Sequence, residues 1–325
     1  MTKKQYVDIY IASCCKHGCI CHYTMGKDGE ILFKDKVILD YPMYLAIEKN
    51  KLYALLRQPF QNNKESGLIS FDIINDGALA NPGRVVSTEG EIACHLAVEN
   101  EVVYAVNYQS GSVIKIPDIL VEHQGKSVHP SRQTKPYTHF VCLTPDKKYI
   151  CVVDLGVDSI IIYDKNLSFI SKVKVPDGHG PRHLAISKDG KTVFCANELA
   201  STVSVLDYSD GNLDLINTYN TLPADFRGES TAAAIRVKNN YLYVSNRGHD
   251  SITCFEIYGK QLEFKSVTAC GGESPRDFNI VGDYLICTNE TSDNVTTFTM
   301  DNGMLTKTKT ELNIKRPLCI IANLI

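Results

Sequence analysis

The apolar residues of the chain fall in short runs that suit strands rather than helices. The clearest stretch, residues 180–208, reads GPRHLAISKDGKTVFCANELASTVSVLDY. Its segments 183–187, 192–196 and 202–208 are rich in β-forming residues, and the last of them alternates with a period of two. Asp189-Gly190 separates the first two segments and suits the positive φ angles of a tight hairpin turn. The stretch therefore predicts three antiparallel strands joined by turns.

This unit recurs along the chain. The residue that ends its second strand returns at intervals of 43 to 50 residues, at Arg57, Asn107, Asp154, Asn197, Asn246 and Asn289. A period of this size with strand-only content is typical of propeller blades of four strands. The chain has no Trp, which excludes the WD signature of one propeller class.

The two ends complete one further blade. Residues 6–13, 19–25 and 31–39 supply three strands, and residues 317–324 supply one that resembles the first strand of the unit. We therefore predict an all-β, seven-bladed β-propeller with four antiparallel strands per blade. It forms one domain, 1–325, whose ring is closed by the C-terminal strand joining the N-terminal blade. Closure removes exposed sheet edges.

The composition of the chain argues against nucleic-acid and membrane partners. The formal net charge is −3 and the Lys and Arg residues are scattered, so we expect no nucleic-acid partner. No apolar run approaches the length of about 20 residues that a membrane span needs. Asp8 interrupts the first apolar run and no cleavage site follows, so the start of the chain is interpreted as a strand and not a signal peptide. We expect a cytoplasmic protein.

The twelve cysteines are expected to be reduced and free of metal. Six of them stand at strand positions where other copies hold Val, Ile or Ala, and behave as small buried hydrophobes: Cys142, Cys151, Cys195, Cys254, Cys287 and Cys319. The spacing of Cys14, Cys15, Cys19 and Cys21 does not match the usual zinc patterns.

Polar residues gather at one end of the predicted ring. The start of the innermost strand and the end of the next strand share that end, because neighbouring strands are antiparallel. The repeated Asn residues there are interpreted as turn-stabilising, since they recur in register. Residues that do not recur are the candidate site: His139, Arg182, Glu198 and Arg247 as catalytic residues, and His95, Arg276, Asp154 and His183 as substrate-binding residues. We expect their charges at the rim of a funnel.

Residues 118–137 form the longest irregular stretch, between the third and fourth blades. They contain His123, His129, Pro130, Arg132 and Pro136. The stretch is longer than the usual connection and is expected to hold an outer strand plus a loop that overhangs one end of the ring. Whether that loop is a lid or a simple insertion stays open at this point.

Three stretches, residues 180–208, 232–257 and 271–305, carry a resemblance that extends over nearly the whole chain. Their strings GPRHLA, NEL, SNRGHDS and PRDF resemble the lactonase family of seven-bladed propellers, which includes the cycloisomerase-type 6-phosphogluconolactonases and the fungal muconate lactonising enzymes. The resemblance implies a catalytic set of one His, two Arg and one Glu, which falls on His139, Arg182, Glu198 and Arg247. The chain departs from the family's H-x-H string, since Tyr137 stands where the first His is common.

The resemblance implies lactone chemistry, most simply hydrolysis of 6-phosphogluconolactone to 6-phosphogluconate in the pentose phosphate pathway. His139 is expected to act as a general base because imidazole titrates near neutral pH. Glu198 would orient His139 or the water, and the two arginines would bind the substrate anion and the oxyanion. We expect no cofactor and no metal; the partner is a small anionic lactone or carboxylate. A muconate-type lactonising cycloisomerase and a non-catalytic binding scaffold remain as alternatives.

Overall fold

The structure, a computed structural model, describes residues 6–323 and consists of seven antiparallel β-sheets. Residues 1–5, which belong to the start of the chain discussed above, and Leu324 of the expected last strand lie outside this range. The part of the chain that the structure describes has no helix capable of spanning a bilayer. Strands are numbered β1 to β29 along the chain.

The first blade joins the two ends of the chain. Its sheet order is β29-β1-β2-β3, with β29 (Pro317–Asn323) innermost, followed by β1 (Val7–Ser13), β2 (Cys19–Met25) and β3 (Ile31–Ile38). Strands β29 and β1 pair along their length, from Ser13 opposite Pro317 to Asp8 opposite Asn323. The predicted closure of the ring by the C-terminal strand is confirmed.

The second blade has a divided outer strand. It comprises β4 (Pro42–Glu48), β5 (Lys51–Leu56) and β6 (Glu65–Ile73), and both β7 (Leu79–Ala80) and β8 (Val86–Glu91) pair with β6.

The other five blades are simple four-stranded meanders, each running from the axis outwards. They are β9 (Ala93–Glu99), β10 (Val102–Asn107), β11 (Ser112–Ile116) and β12 (Ile119–Glu122); β13 (Thr138–Leu143), β14 (Ile150–Asp154), β15 (Ser159–Tyr163) and β16 (Phe169–Lys174); β17 (Pro181–Ile186), β18 (Thr192–Asn197), β19 (Thr202–Ser209) and β20 (Asn212–Asn220); β21 (Thr231–Lys238), β22 (Tyr241–Arg247), β23 (Ser251–Tyr258) and β24 (Gln261–Ala269); β25 (Pro275–Val281), β26 (Tyr284–Asn289), β27 (Asn294–Asp301) and β28 (Met304–Asn313).

The hydrophobic core lies between blades rather than in one centre. Successive side chains of a strand point to opposite faces of its sheet. In β1, Ile9 and Ile11 therefore pack against the seventh blade, whereas Tyr10 and Ala12 pack against the second. Seven such apolar clusters among residues 6–323 fill the seven interfaces, so every inner strand is apolar on both faces.

The recurring asparagines hold the turn between the second and third strand of their blades. Asn197 Nδ2 donates to Thr202 Oγ1 at 3.0 Å and to Ser204 Oγ at 2.9 Å. Asn289 Nδ2 likewise donates to Thr296 Oγ1 at 3.2 Å. Both residues are fully buried, and their amide nitrogens donate to side chains of the neighbouring strand. Their structural interpretation is confirmed.

All twelve cysteines lie in the described part of the chain, and each is a free thiol. Cys151 and Cys195 are buried in apolar clusters, as expected for strand positions. Cys142 is only partly buried. In the first blade, Cys14 lies buried beneath the funnel, with its thiol 3.4 Å from Met43 Sδ.

Candidate functional site

A cavity of about 260 Å³ opens at the end of the ring where the innermost strands begin. Its charged and titratable lining comes from different blades and is dominated by guanidinium groups: Arg57, Arg132, His139, Glu198, Arg247 and Arg276. Each side chain stands at the first residues of an innermost strand, just beyond the second strand, or in the connection before the fourth blade. The predicted funnel is present at the predicted end.

Glu198 is the centre of this cavity's charge. Its Oε1 accepts a hydrogen bond of 2.6 Å from Arg132 Nη2. Its Oε2 lies 3.0 Å from Arg247 Nη2 and 3.0 Å from Arg182 Nε. The Arg182 N–H at Nε is not aimed at that oxygen, so this contact is ionic rather than a hydrogen bond. The single carboxylate of Glu198 therefore forms ion pairs with three arginines.

The three arginines keep Glu198 ionised. The side chain is 4% exposed, and burial alone would raise its pKa. Arg247, Arg182 and Arg132 outweigh burial and hold the pKa well below its ordinary value. Glu198 is thus a poor proton acceptor at neutral pH and a strong electrostatic anchor.

His139 lies beside this cluster as a neutral imidazole. Burial, followed by the field of Arg182, lowers its pKa well below 6.5. Its Nε2 is 4.0 Å from Glu198 Oε2, which is too long for a hydrogen bond. Its Nδ1 has no hydrogen-bond partner within residues 6–323. The expectation that His139 titrates near neutral pH is therefore corrected: burial keeps it unprotonated throughout that range.

A second, smaller space of about 20 Å³ adjoins the cavity and shares His139 and Arg276 with it. Arg182 and His183 line this space, and Arg182 Nη1 donates to the Ala233 carbonyl at 2.7 Å. Both ring nitrogens of His183 are buried without a partner in the described chain. Arg182 and His183 thus lie on the axial side of the site.

His95 does not reach either space. It is buried in a stack of rings, with centroids 4.2 Å from Tyr44, 4.0 Å from Phe140 and 5.3 Å from His183. Its Nδ1 accepts a hydrogen bond of 3.4 Å from the Val141 amide. The expected substrate contact of His95 is replaced by packing under the site.

Asp154 does not line the cavity either. Its Oδ1 accepts from the Tyr137 amide at 2.8 Å and the Gly156 amide at 2.9 Å, and its Oδ2 lies 2.7 Å from His123 Nδ1. The physical reason is register, because Asp154 occupies the position of the turn asparagines and Leu155 occupies that of Glu198. The prediction that Asp154 binds substrate is corrected to a structural role.

The connection before the fourth blade brings in Arg132, which the sequence had not assigned to the site. It contains strand β12 and then a loop fixed by the fully buried Asp158. Asp158 Oδ1 accepts from Gln133 Nε2 at 2.7 Å, and Oδ2 accepts from Ser127 Oγ at 2.5 Å. The loop is thus tied to the body of the propeller and forms one wall of the cavity.

On the opposite side of the cavity, the lining residue Arg276 belongs to a second ion-pair group. Glu290 Oε1 accepts a hydrogen bond of 2.9 Å from Arg316 Nη2, and Glu290 Oε2 lies 3.6 Å from Arg276 Nη1. Arg57 also lies in the cavity lining. The register of the repeat placed Arg57 and Arg316 at the polar end of the ring, but the sequence analysis did not assign them to the site.

Within residues 6–323, no three side chains of His, Cys, Asp or Glu converge to hold a metal ion.

The family model "Lactonase, 7-bladed beta-propeller" matches residues 8–322. An uncharacterized protein of Staphylococcus aureus (strain USA300) is 32% identical over 282 residues, covering 80% of this chain and 81% of that protein.

Solved structures agree over almost the full length. A protein from Lactobacillus plantarum matches with a TM-score of 0.90 and 27% identity, covering 98% of this chain and 100% of that one. A proposed 6-phosphogluconolactonase from Bacteroides fragilis NCTC 9343 matches with a TM-score of 0.90 and 25% identity, covering 99% of both chains. The periplasmic gluconolactonase of Pseudomonas aeruginosa, at 23% identity and a TM-score of 0.87 over 98% of this chain and 99% of that one, shares the fold.

Proposed function

Since the chain belongs to the lactonase family of seven-bladed β-propellers, we propose that it hydrolyses a sugar lactone, with 6-phosphogluconolactone as substrate and 6-phosphogluconate as product. The observation that carries the proposal is the pairing of a neutral, buried His139 with an ionised Glu198–arginine cluster in one cavity. The likeness to the Bacteroides fragilis protein supports the choice of substrate.

The proposed reaction adds water to the lactone carbonyl. His139 takes a proton from the attacking water as the new C–O bond forms, and the carbonyl oxygen becomes an oxyanion. When the tetrahedral intermediate collapses, the bond from the carbonyl carbon to the ring oxygen breaks. The imidazolium then returns the proton to that departing oxygen, which leaves a hydroxyl and a carboxylic acid.

His139 suits the role of base better than Glu198 does. Both oxygens of the Glu198 carboxylate are held by arginines, Oε1 by Arg132 and Oε2 by Arg247 and Arg182, so neither is free to take a proton from water. The imidazole is already unprotonated, and the cavity lies against it. Glu198 instead acts as a positioning residue that fixes the arginines around the reacting carbonyl.

The two arginines predicted from sequence receive different roles. The Arg247 side chain is 14% exposed and lines the larger cavity, so it is placed to donate to the oxyanion. Arg182 is 3% exposed and bound to the Ala233 carbonyl, so it orients Glu198 from behind. Arg247→Ala should therefore lower kcat, whereas Arg182→Ala should also lower the thermal stability.

The experiment is a panel of substrates for the purified full-length protein. It comprises 6-phosphogluconolactone, glucono-δ-lactone and a carboxylated muconate, each corrected for the uncatalysed rate. Lactone opening with no muconate turnover supports the proposal. Muconate cyclisation alone would favour the lactonising alternative, and no turnover of any compound would favour a binding scaffold.

A further inference from the structure

The charges of the funnel are unequally paired. Arg132, Arg182 and Arg247 share Glu198. Arg276 and Arg316 share Glu290. Arg57 makes no ion pair within residues 6–323, and its Nε atom is buried without a hydrogen-bond partner. A partly buried guanidinium without a partner lowers the stability of the folded state unless a bound anion pairs with it.

Arg57 lies across the funnel from the proposed catalytic residues. The innermost strands pack side by side around the axis in the order β29, β4, β9, β13, β17, β21 and β25. His139, Glu198 and Arg247 come from the three consecutive blades that begin with β13, β17 and β21. Arg57 belongs to the blade of β4, and Arg316 and Arg276 belong to the adjoining blades of β29 and β25. The two groups therefore form opposite walls.

Three arginines and one carboxylate on this side of the cavity act on the buried Cys14 thiol. Burial raises its pKa to about 11; Arg57, Arg316 and Arg276 act against that rise, and Glu290 adds to it. Arg57 and Arg276 also line the same cavity as His139. An anion bound at this wall would thus occupy the same cavity as a lactone held against His139.

We infer that Arg57, with Arg276 beside it, forms a second anion subsite that receives the phosphate of a phosphorylated sugar lactone. The inference rests on the proposed function and specifies its substrate class. A phosphomonoester carries close to two negative charges at neutral pH, and a guanidinium binds its oxygens through paired donors. Five of the six guanidinium groups of the funnel share two carboxylates, Glu198 and Glu290, in the ion pairs of residues 6–323, and the nearby Asp277 is paired with Arg236. A dianion relieves that excess, whereas an uncharged lactone does not.

The test compares two lactones that differ only in the phosphate. Arg57→Ala should raise KM for 6-phosphogluconolactone by about tenfold to a hundredfold and leave its kcat nearly unchanged. The kinetics with glucono-δ-lactone should stay as in the wild type. Arg57→Lys, which keeps the charge but loses the paired donors, should fall between. Arg84→Ala is the matched control, since Arg84 is exposed on the same blade, between β7 and β8.

Equal effects of Arg57→Ala on both lactones, or no effect on either, would overturn the subsite. If the wild type opens neither lactone, the proposed function fails but the subsite is still measured, by calorimetric titration with inorganic phosphate. Phosphate binding that is lost in Arg57→Ala and kept in Arg84→Ala supports it. Equal phosphate binding by wild type and Arg57→Ala, or none by the wild type, refutes it.

Discussion

At the scale of the residue, the charges of the site are more deeply buried than their sequence positions suggest. Their place at strand ends predicted an exposed rim, yet Glu198 and Arg182 are 4% and 2% exposed. The reason is that Arg132, from the connection before the fourth blade, bonds to Glu198, and that Arg182 lies beside the rings of His139 and His183. Removing one member of a buried ion pair leaves the other uncompensated, so these residues bear on stability as well as activity.

Glu198→Gln should therefore lower the free energy of unfolding by roughly 3 kcal/mol, because three arginines lose their common counter-charge. Urea unfolding at pH 7 measures the loss. Glu290→Gln is the control: Glu290 is 18% exposed and pairs with two more accessible arginines, so its loss should be clearly smaller. Equal stability of Glu198→Gln and the wild type would show that the cluster is not an anchor.

The buried histidines predict a pH dependence of stability. Burial and then nearby arginines lower the pKa values of His95, His139 and His183 well below 6.5. In the unfolded chain these groups titrate near 6.5, so below that pH the unfolded state binds protons that the native state does not. The free energy of unfolding therefore has its full value above pH 6.5. Below that pH it falls by about 1.4 kcal/mol per pH unit for each histidine.

His183→Phe isolates one of these contributions. Both nitrogens of His183 lack a partner within the described chain, so an apolar ring should cost little at pH 7. Between pH 6 and pH 5, the stability of the variant should fall less steeply than that of the wild type, by about 1.4 kcal/mol per pH unit. Urea unfolding at pH 7, 6 and 5 compares the slopes, and identical slopes would mean that His183 already carries a proton in the native state.

At the scale of the element, the connection before the fourth blade shows what the repeat pattern cannot supply. Its length predicted an outer strand and an overhanging loop, and both are present. Its bonds to Asp158 could not be predicted, because Gln133 and Ser127 follow no repeat and their partner lies in another turn. Arg132 was missed for the same reason. The sequence left open whether this loop is a lid or a simple insertion. In the structure it is one wall of the cavity, held by its bonds to Asp158.

Gln133→Ala tests this wall. Gln133 is fully buried and donates to Asp158 Oδ1 at 2.7 Å and to the Leu155 carbonyl at 2.8 Å. Its loss should speed amide hydrogen exchange in residues 123–137 and, by loosening Arg132, weaken substrate binding severalfold. Gln124→Ala, at an exposed position of the same connection, should change neither. Unaltered exchange in Gln133→Ala would show that other contacts hold the loop.

At the scale of the whole molecule, the ring was predictable because each blade repeats one pattern and the two ends are complementary. The site was predictable only where a residue departs from the repeat, as His139, Glu198 and Arg247 do. The prediction for Asp154 was wrong because a shift of one residue at the strand end turns a cavity-facing position into a turn-stabilising one. The prediction that His95 binds substrate missed its burial among rings, because that burial depends on Tyr44 and Phe140, which come from other blades.

Ring closure makes its own prediction. A chain ending at Arg316 loses β29, which is the innermost strand of the first blade and packs between β25 and β4. The edge of β1 would then be unpaired, so the truncated protein should aggregate or fail to fold cooperatively. Size-exclusion chromatography and thermal unfolding measure this. A soluble truncated monomer with a cooperative transition would contradict the closure.

The most direct test of the account is the rate of 6-phosphogluconolactone opening by the wild type and His139→Ala, with the uncatalysed rate subtracted. The wild type should accelerate opening, and His139→Ala should lose about 10²–10⁴-fold in kcat while still unfolding in one cooperative transition. Lys188→Ala, in an exposed turn at the opposite end of the ring, should match the wild type. A His139→Ala variant as active as the wild type, or a wild type no faster than water, would contradict the assignment of this funnel as a lactonase site.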